Sequence, residues 1–263
     1  MRRFSFKIPL FWVSGILFAF AFAAQRVHTH LVGQAPAVCK AGAAEGAAAL
    51  SRADPVINVC DHGARGDGMA DDTAAIQAAL DAVPASGGKV VFPSGTYRVS
   101  STLTVGAANT AIEGAGRRQR IAALAATKID YVGTGNVFSV KQQGLSLERV
   151  AVDYLAAPGA VVSALNVSDG FIGECHFKGS AQGCAIDIND GSGWRFYGTR
   201  VENFAIGMDL QQNNGHTVVF NCIFYDCNEA ARIGHVANVM IMNKTGQTVD
   251  LGPGNVRVDV RKH

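Results

Sequence analysis

The chain has 263 residues, 48% apolar and only 17% charged, with 30 glycines against 7 prolines and a formal net charge of +2. That mix excludes a disordered chain, and weak, scattered basic charge argues against nucleic acid as a partner. The length suits one sizeable core, with or without a tail. At the start, Arg2, Arg3 and Lys7 precede an uncharged apolar run from Leu10 to Phe22 and the small-residue triplet Ala21-Phe22-Ala23. This pattern reads as a cleaved signal peptide over residues 1–24. A retained anchor is the alternative, since Ile8 to Ala24 comes close to the shortest span of a bilayer, and membrane contact is expected only through that segment. The Arg2-Arg3 pair partly matches a twin-arginine signal, so a bacterial source and a secreted or periplasmic, cell-envelope location are expected.

Residues 25–53 are rich in Ala and Gly, show no apolar periodicity and read as a linker, so the folded domain is expected over 54–263. Next comes a short helix from Asp72 to Val83, with Asp72 as cap, Ile76, Leu80 and Val83 on one face, and Pro84 as terminator. Gly87-Gly88 opens a strand through Phe92, Pro93-Ser94-Gly95 makes a turn, and Tyr97 to Val105 alternates as a half-buried strand. Six cysteines allow up to three disulfides. Cys39 and Cys60, at either side of the domain's start, form one candidate pair. Cys175, Cys184, Cys222 and Cys227 are either bridged or buried as small core residues, and none has zinc-site CxxC spacing.

The second half repeats itself. Leu147, Ile172, Phe196 and Val219 form one apolar column at a spacing of 23 to 25 residues. Val150, Cys175, Thr199 and Cys222 form a second column of compact residues, and Val152, Phe177, Val201 and Phe224 a third. A closing strand in each coil adds Leu165, Ile188, Leu210 and Ile233 as a fourth. A repeat this short cannot bury its apolar face alone, so the coils must stack, and in-register parallel stacking gives an all-β, single-stranded parallel β-helix. Its top exposes strand edges that invite aggregation, and the helix at Asp72 to Val83 is the expected lid.

The segment Val59-Cys-Asp-His-Gly-Ala-Arg-Gly-Asp-Gly-Met-Ala-Asp-Asp-Thr-Ala-Ala-Ile-Gln-Ala-Ala-Leu80, followed by Gly87-Gly-Lys-Val-Val-Phe-Pro-Ser-Gly-Thr-Tyr-Arg-Val99 and Ile112-Glu-Gly-Ala-Gly116, closely resembles the opening of the pectate lyase superfamily, in its rhamnogalacturonase and epimerase-like branch. The resemblance implies a right-handed β-helix with a short N-terminal capping helix, and an association with polysaccharides. Relatives of this kind include pectin lyases, polygalacturonase-like hydrolases, exo-glucanases, uronan epimerases and phage tailspikes, so a homotrimer is compatible with it. Asp67, Asp71 and Asp72 are expected to hold turns and cap the helix rather than catalyse.

With the fourth column as a ruler, Asp187, Asp209 and Arg232 fall on equivalent positions of successive coils, turned outward and stacked at roughly 5 Å. Two carboxyls so close cannot both ionise freely; one becomes a candidate general acid and the other a base or nucleophile, suited to glycosidic cleavage. Arg232 is placed to bind a uronate carboxylate or to stabilise developing negative charge. A polar ladder neutralised by Arg232 is the structural alternative. The polygalacturonase-like pattern is echoed by Asp187 with Asn189-Asp190, then Asp209, then Gly215-His216, then Arg232-Ile233, each incomplete, which adds Asp190 and His216 to the candidate catalytic set. No cofactor is required by the sequence; a lyase would use calcium, drawn by the same carboxylates. His176, Lys178, Arg200, Glu202 and His235 are further polar candidates, and Trp194 reads either as core or as a sugar-stacking platform. The expected function is an exported carbohydrate-active protein that cleaves or modifies a polysaccharide, expected to be uronate-containing, as lyase or glycoside hydrolase; the alternative is a non-catalytic β-helix that binds or scaffolds a surface polysaccharide.

Overall fold

A computed structural model describes residues 55–116, 127–155, 158–214, 216–235, 238–243, 248–251 and 257–262. The expected signal peptide, the linker and Cys39 lie outside the described residues. Cys60 is disulfide-bonded. The described residues form a parallel β-solenoid of about six turns with one short α-helix.

Each full coil contributes strands to three walls. The first wall contains Val56–Asn58, Gly88–Phe92, Thr110–Gly114, Ser146–Glu148, Phe171–Gly173 and Arg195–Tyr197, then the first half of Val218–Tyr225, which pairs onward with Asn238–Asn243 and through it with Arg257–Lys262. The second contains Asp67–Asp71, Gly95–Val99, Thr127–Tyr131, Ala151–Tyr154, His176–Lys178 and Arg200–Glu202, and it meets the second half of the same long strand. The third runs through Leu103–Val105, Phe138–Val140, Ala160–Leu165, Cys184–Asn189, Ile206–Asn214, Glu229–His235 and Thr248–Leu251.

The first and third apolar columns are confirmed residue by residue, and all four members of the second, Val150, Cys175, Thr199 and Cys222, are buried. Leu147 pairs with Ile172, Ile172 with Phe196 and Phe196 with Val219, while Val152 pairs with Phe177, Phe177 with Val201 and Val201 with Phe224. Between these columns the chain turns from the first wall to the second through one left-handed residue per coil, Arg149, Glu174, Gly198 and Asn221, with φ from 52° to 58°. This residue shifts the in-out parity, so column members three apart both point inward, where plain alternation would put them on opposite faces. The span Tyr97 to Val105 is divided likewise: it holds two strands, Gly95–Val99 and Leu103–Val105, on different walls.

The fourth column needs one correction. Ile188 pairs with Ala164, not Leu165, and Leu165 is 72% exposed whereas Ala164 is buried. Three of the four cysteines expected in the core, Cys175, Cys222 and Cys227, are buried there, and burial raises the pKa of each thiol. Cys184 is only half-buried. Trp194 is core: it is fully buried, donates Nε1–H to the Val167 carbonyl at 2.8 Å and stacks on Phe196.

The helix α1 (Thr73–Asp81) buries Ile76 and Leu80, and Val83 just beyond it, as its sequence pattern requires. It lies against Leu103–Val105, the end strand of the third wall. There the Gln77 side chain accepts from Thr104 N–H at 2.8 Å and donates to Thr104 C=O at 3.1 Å. One amide thus occupies both ladder groups of an edge residue, as a further strand would. Asp72 is not the capping acceptor. Its buried carboxylate instead accepts from the N–H groups of Arg65 at 2.7 Å and Gly66 at 3.1 Å, while Asp71 accepts from Thr73 N–H at 3.0 Å. Burial raises the pKa of Asp72 despite those two bonds. Asp67 holds the turn expected of it, accepting from Met69 N–H and Ala70 N–H.

Candidate functional site

The outer face of the third wall carries a polar ladder. In register from the lid downward stand Thr104, Ser139, Ser163, Asp187, Asp209 and Arg232. Ile186 and Ile188 point into the core on either side of Asp187 and are fully buried, so the alternation that turns Asp187 outward is enforced by packing. With strands about 4.8 Å apart, the two carboxylates are neighbours although 22 residues separate Asp187 from Asp209 in the chain.

Both aspartates line an open cleft of about 510 Å³, together with Asn136, Gly159, Gly183, Cys184, Asn189 and Ile206 among others. Asn189 donates its side-chain N–H to Asp187 Oδ1 at 2.5 Å. The pKa of Asp187 is raised, first because the carboxyl is desolvated and then because Asp209 stands beside it; the Asn189 bond opposes this only in part. Arg232 places Nη1 3.7 Å from Asp209 Oδ2 and donates Nε–H to Glu229 at 2.7 Å. The bond to Glu229 is the main reason its guanidinium is held even more firmly charged. Cys184 donates S–H to the Ile186 carbonyl at 3.1 Å, and burial followed by the two carboxylates pushes its pKa upward. It is therefore a neutral thiol in the cleft wall rather than a nucleophile.

Asp190 and His216 occupy left-handed corner positions, φ 55° and 56°, at the end of the Asp187 strand and before Val218. Neither belongs to the lining of the cleft. His176, Lys178, Arg200 and Glu202 meet on the second wall, where Glu202 accepts from Arg200 Nε–H at 2.9 Å, with His176 Nε2 at 3.4 Å and Lys178 Nζ at 3.7 Å. Burial lowers the pKa of His176. The side chain of His235 lies outside the described residues. Among the described residues no group of three or more His, Cys, Asp or Glu side chains is arranged to hold a metal ion.

Residues 56–139 match the family model described as rhamnogalacturonase A/epimerase, pectate lyase-like. Over that segment the chain is similar to pectate lyase-like right-handed β-helix domains. The β-helix domain has curated relatives in Azotobacter vinelandii: mannuronan C5-epimerase AlgE1 is 66% identical over 44 residues, 16% of this chain and 3% of that protein. Alginate lyase 7 of the same organism is 66% identical over 44 residues, 16% of this chain and 5% of that protein. The match thus spans a small fraction of these relatives. Among solved structures, the A-module of mannuronan C-5 epimerase AlgE6 of Azotobacter vinelandii is 22% identical, with 78% of this chain and 75% of that one covered and a TM-score of 0.39. A putative glycosyl hydrolase from Parabacteroides merdae is 14% identical, with coverages of 78% and 96% and a TM-score of 0.45.

The charge state of the cleft has a consequence for stability. Because the folded pKa of Asp187 lies above its ordinary value of 3.8, the folded state binds more protons than the unfolded chain between those two values. Stability contributed by the neutral carboxyl is fully present below about pH 3.8 and is lost as pH rises through the folded pKa. Asp187→Asn is therefore expected to raise Tm at pH 7, with the gain vanishing below pH 3.8 in calorimetric scans. An equal gain at both pH values would show that charge is not its cause.

Proposed function

We propose that this is an exported enzyme of the bacterial cell envelope that cleaves or modifies a uronate-containing polysaccharide, with Asp187 and Asp209 as its proton-transferring pair. The reading rests on one observation: two in-register carboxylates share an open cleft, and the one bonded to Asn189 is biased toward its neutral form. A neutral carboxyl next to an ionised one can donate a proton while its partner accepts one. At C5 of a uronate, Asp209 would take the ring proton and charge would spread onto the sugar carboxylate, beside Arg232. Asp187 would then give a proton from the same side, either back to C5 as exchange or to the departing glycosidic oxygen as the C4–O bond breaks. The names of the curated relatives, C5-epimerase and alginate lyase, support a mannuronan-type polymer.

The test is incubation of the full chain with alginate, polygalacturonate and a neutral glucan in deuterated water. Loss of the C5 proton signal by NMR is expected on a polyuronate, with unsaturated ends absorbing in the ultraviolet if the C4–O bond also breaks. Reducing ends without unsaturation would mark hydrolysis by the same pair. A second reading, a binding scaffold, is favoured by the partners the carboxylates already have, Asn189 for Asp187 and Arg232 for Asp209. Polymer binding with none of these products would establish it.

A further inference from the structure

We infer that the first wall carries a second glycan-binding surface, an aromatic track formed by Phe171, Tyr197 and Phe220, apart from the cleft on the third wall. Gly173, Tyr197 and Phe220 occupy one outward column on three successive coils. Gly173 has no side chain to give, but the ring of Phe171 lies across it: a Cβ on Gly173 would stand 2.5 Å from Phe171 Cε1. Phe171 thereby fills the empty place, and three rings follow one another along the solenoid axis. Tyr197 and Phe220 are parallel to within 8°, with centroids 5.7 Å apart, and each is 44% exposed. Flat rings touch at about 3.5–4 Å, so a 5.7 Å separation means that they are slid past one another, with part of each face open to solvent. Arg195, Glu174 and Asn221 are exposed polar neighbours that give the strip a hydrogen-bonding rim.

The size of the strip selects its occupant. An aromatic side chain offers roughly 150–250 Å² in all, so three rings less than half exposed present about 300 Å² at most, against about 800 Å² per partner in a stable protein interface. A second copy of the chain would find too little to bury. The C–H face of a pyranose ring is small, flat and weakly positive, which matches the negative face of an aromatic ring. The ligand class is accordingly a polysaccharide strand lying along the coils, held by stacking rather than by charge.

The experiment is frontal affinity chromatography of the full chain on immobilised cello-oligosaccharide, oligomannuronate and oligogalacturonate, at about 0.05 M and about 0.5 M NaCl, between which screening changes several-fold. Retention on at least one column is expected, equal at both salt concentrations. Tyr197→Leu and Phe220→Leu, which keep apolar bulk and remove a ring, should each weaken it about tenfold, whereas Phe220→Tyr should keep it. Circular dichroism confirms that the variants are folded, as solvent-facing substitutions allow. The inference is overturned by no retention on any column, by retention indifferent to the Leu variants, by loss of retention at the higher salt, or by a wild-type dimer in sedimentation that Phe220→Leu dissolves.

Discussion

Asp187→Asn and Asp209→Asn are each expected to lower turnover of a polyuronate by roughly 10²- to 10⁴-fold, the usual contribution of one positioned acid or base. The two losses should differ in their pH dependence. With Asp187 as the proposed acid, wild-type activity is expected to fall as pH rises through the raised pKa of that group, a limb imposed by desolvation and by the neighbouring Asp209 charge. In Asp187→Asn that alkaline limb disappears, because the remaining activity no longer waits on the proton. In Asp209→Asn the limb stays but moves down in pH, since the neighbouring charge that helped to raise the Asp187 pKa is gone. Because the groups act as a unit, the double variant should be little worse than either single one. Full turnover in both single variants would remove the pair from the mechanism and leave the fold intact.

The sequence made the inward columns legible because large apolar residues repeat wherever coils stack, and Leu147, Ile172, Phe196 and Val219 leave no ambiguity of register. The slip at Leu165 has a physical origin. In Ala-Val-Val-Ser-Ala-Leu the inward residue is the small Ala164 and the outward one the large Leu165, so side-chain size points the wrong way. Ser163, which pairs with Asp187, was the better marker. Asp72 departs for a related reason: its position suits a cap, but the loop N–H groups of Arg65 and the buried Gly66 compete for the carboxylate more effectively. The aromatic track lies on the outward column, where no buried periodicity marks it. Gly173, Tyr197 and Phe220 each stand two residues before Cys175, Thr199 and Cys222, so the outward column could be read from the same alignment. The ring of Phe171 folding over Gly173 is a tertiary fact that no alignment of coils contains.

Gly170→Ala tests how tightly the coils are stacked. The buried Gly170 backbone passes so close to the indole of Trp194 on the next coil that an added Cβ would lie 2.2 Å from Cε3 and Cζ3. The indole cannot retreat easily, since its N–H is bonded to the Val167 carbonyl and its face lies on Phe196. Overpacking of this kind costs about 1–3 kcal/mol or more, which in a domain of this size lowers Tm by several degrees. Trp194→Ala removes the ring and should cost about 3–5 kcal/mol, through the cavity and the carbonyl left without its donor. The methyl of Gly170→Ala then has room, so the double variant should lose clearly less than the sum of the two, with a coupling of about 1 kcal/mol or more in denaturant titrations. Strict additivity would mean that the close approach of backbone to indole does not limit packing between these coils, and that glycine is required there for another reason.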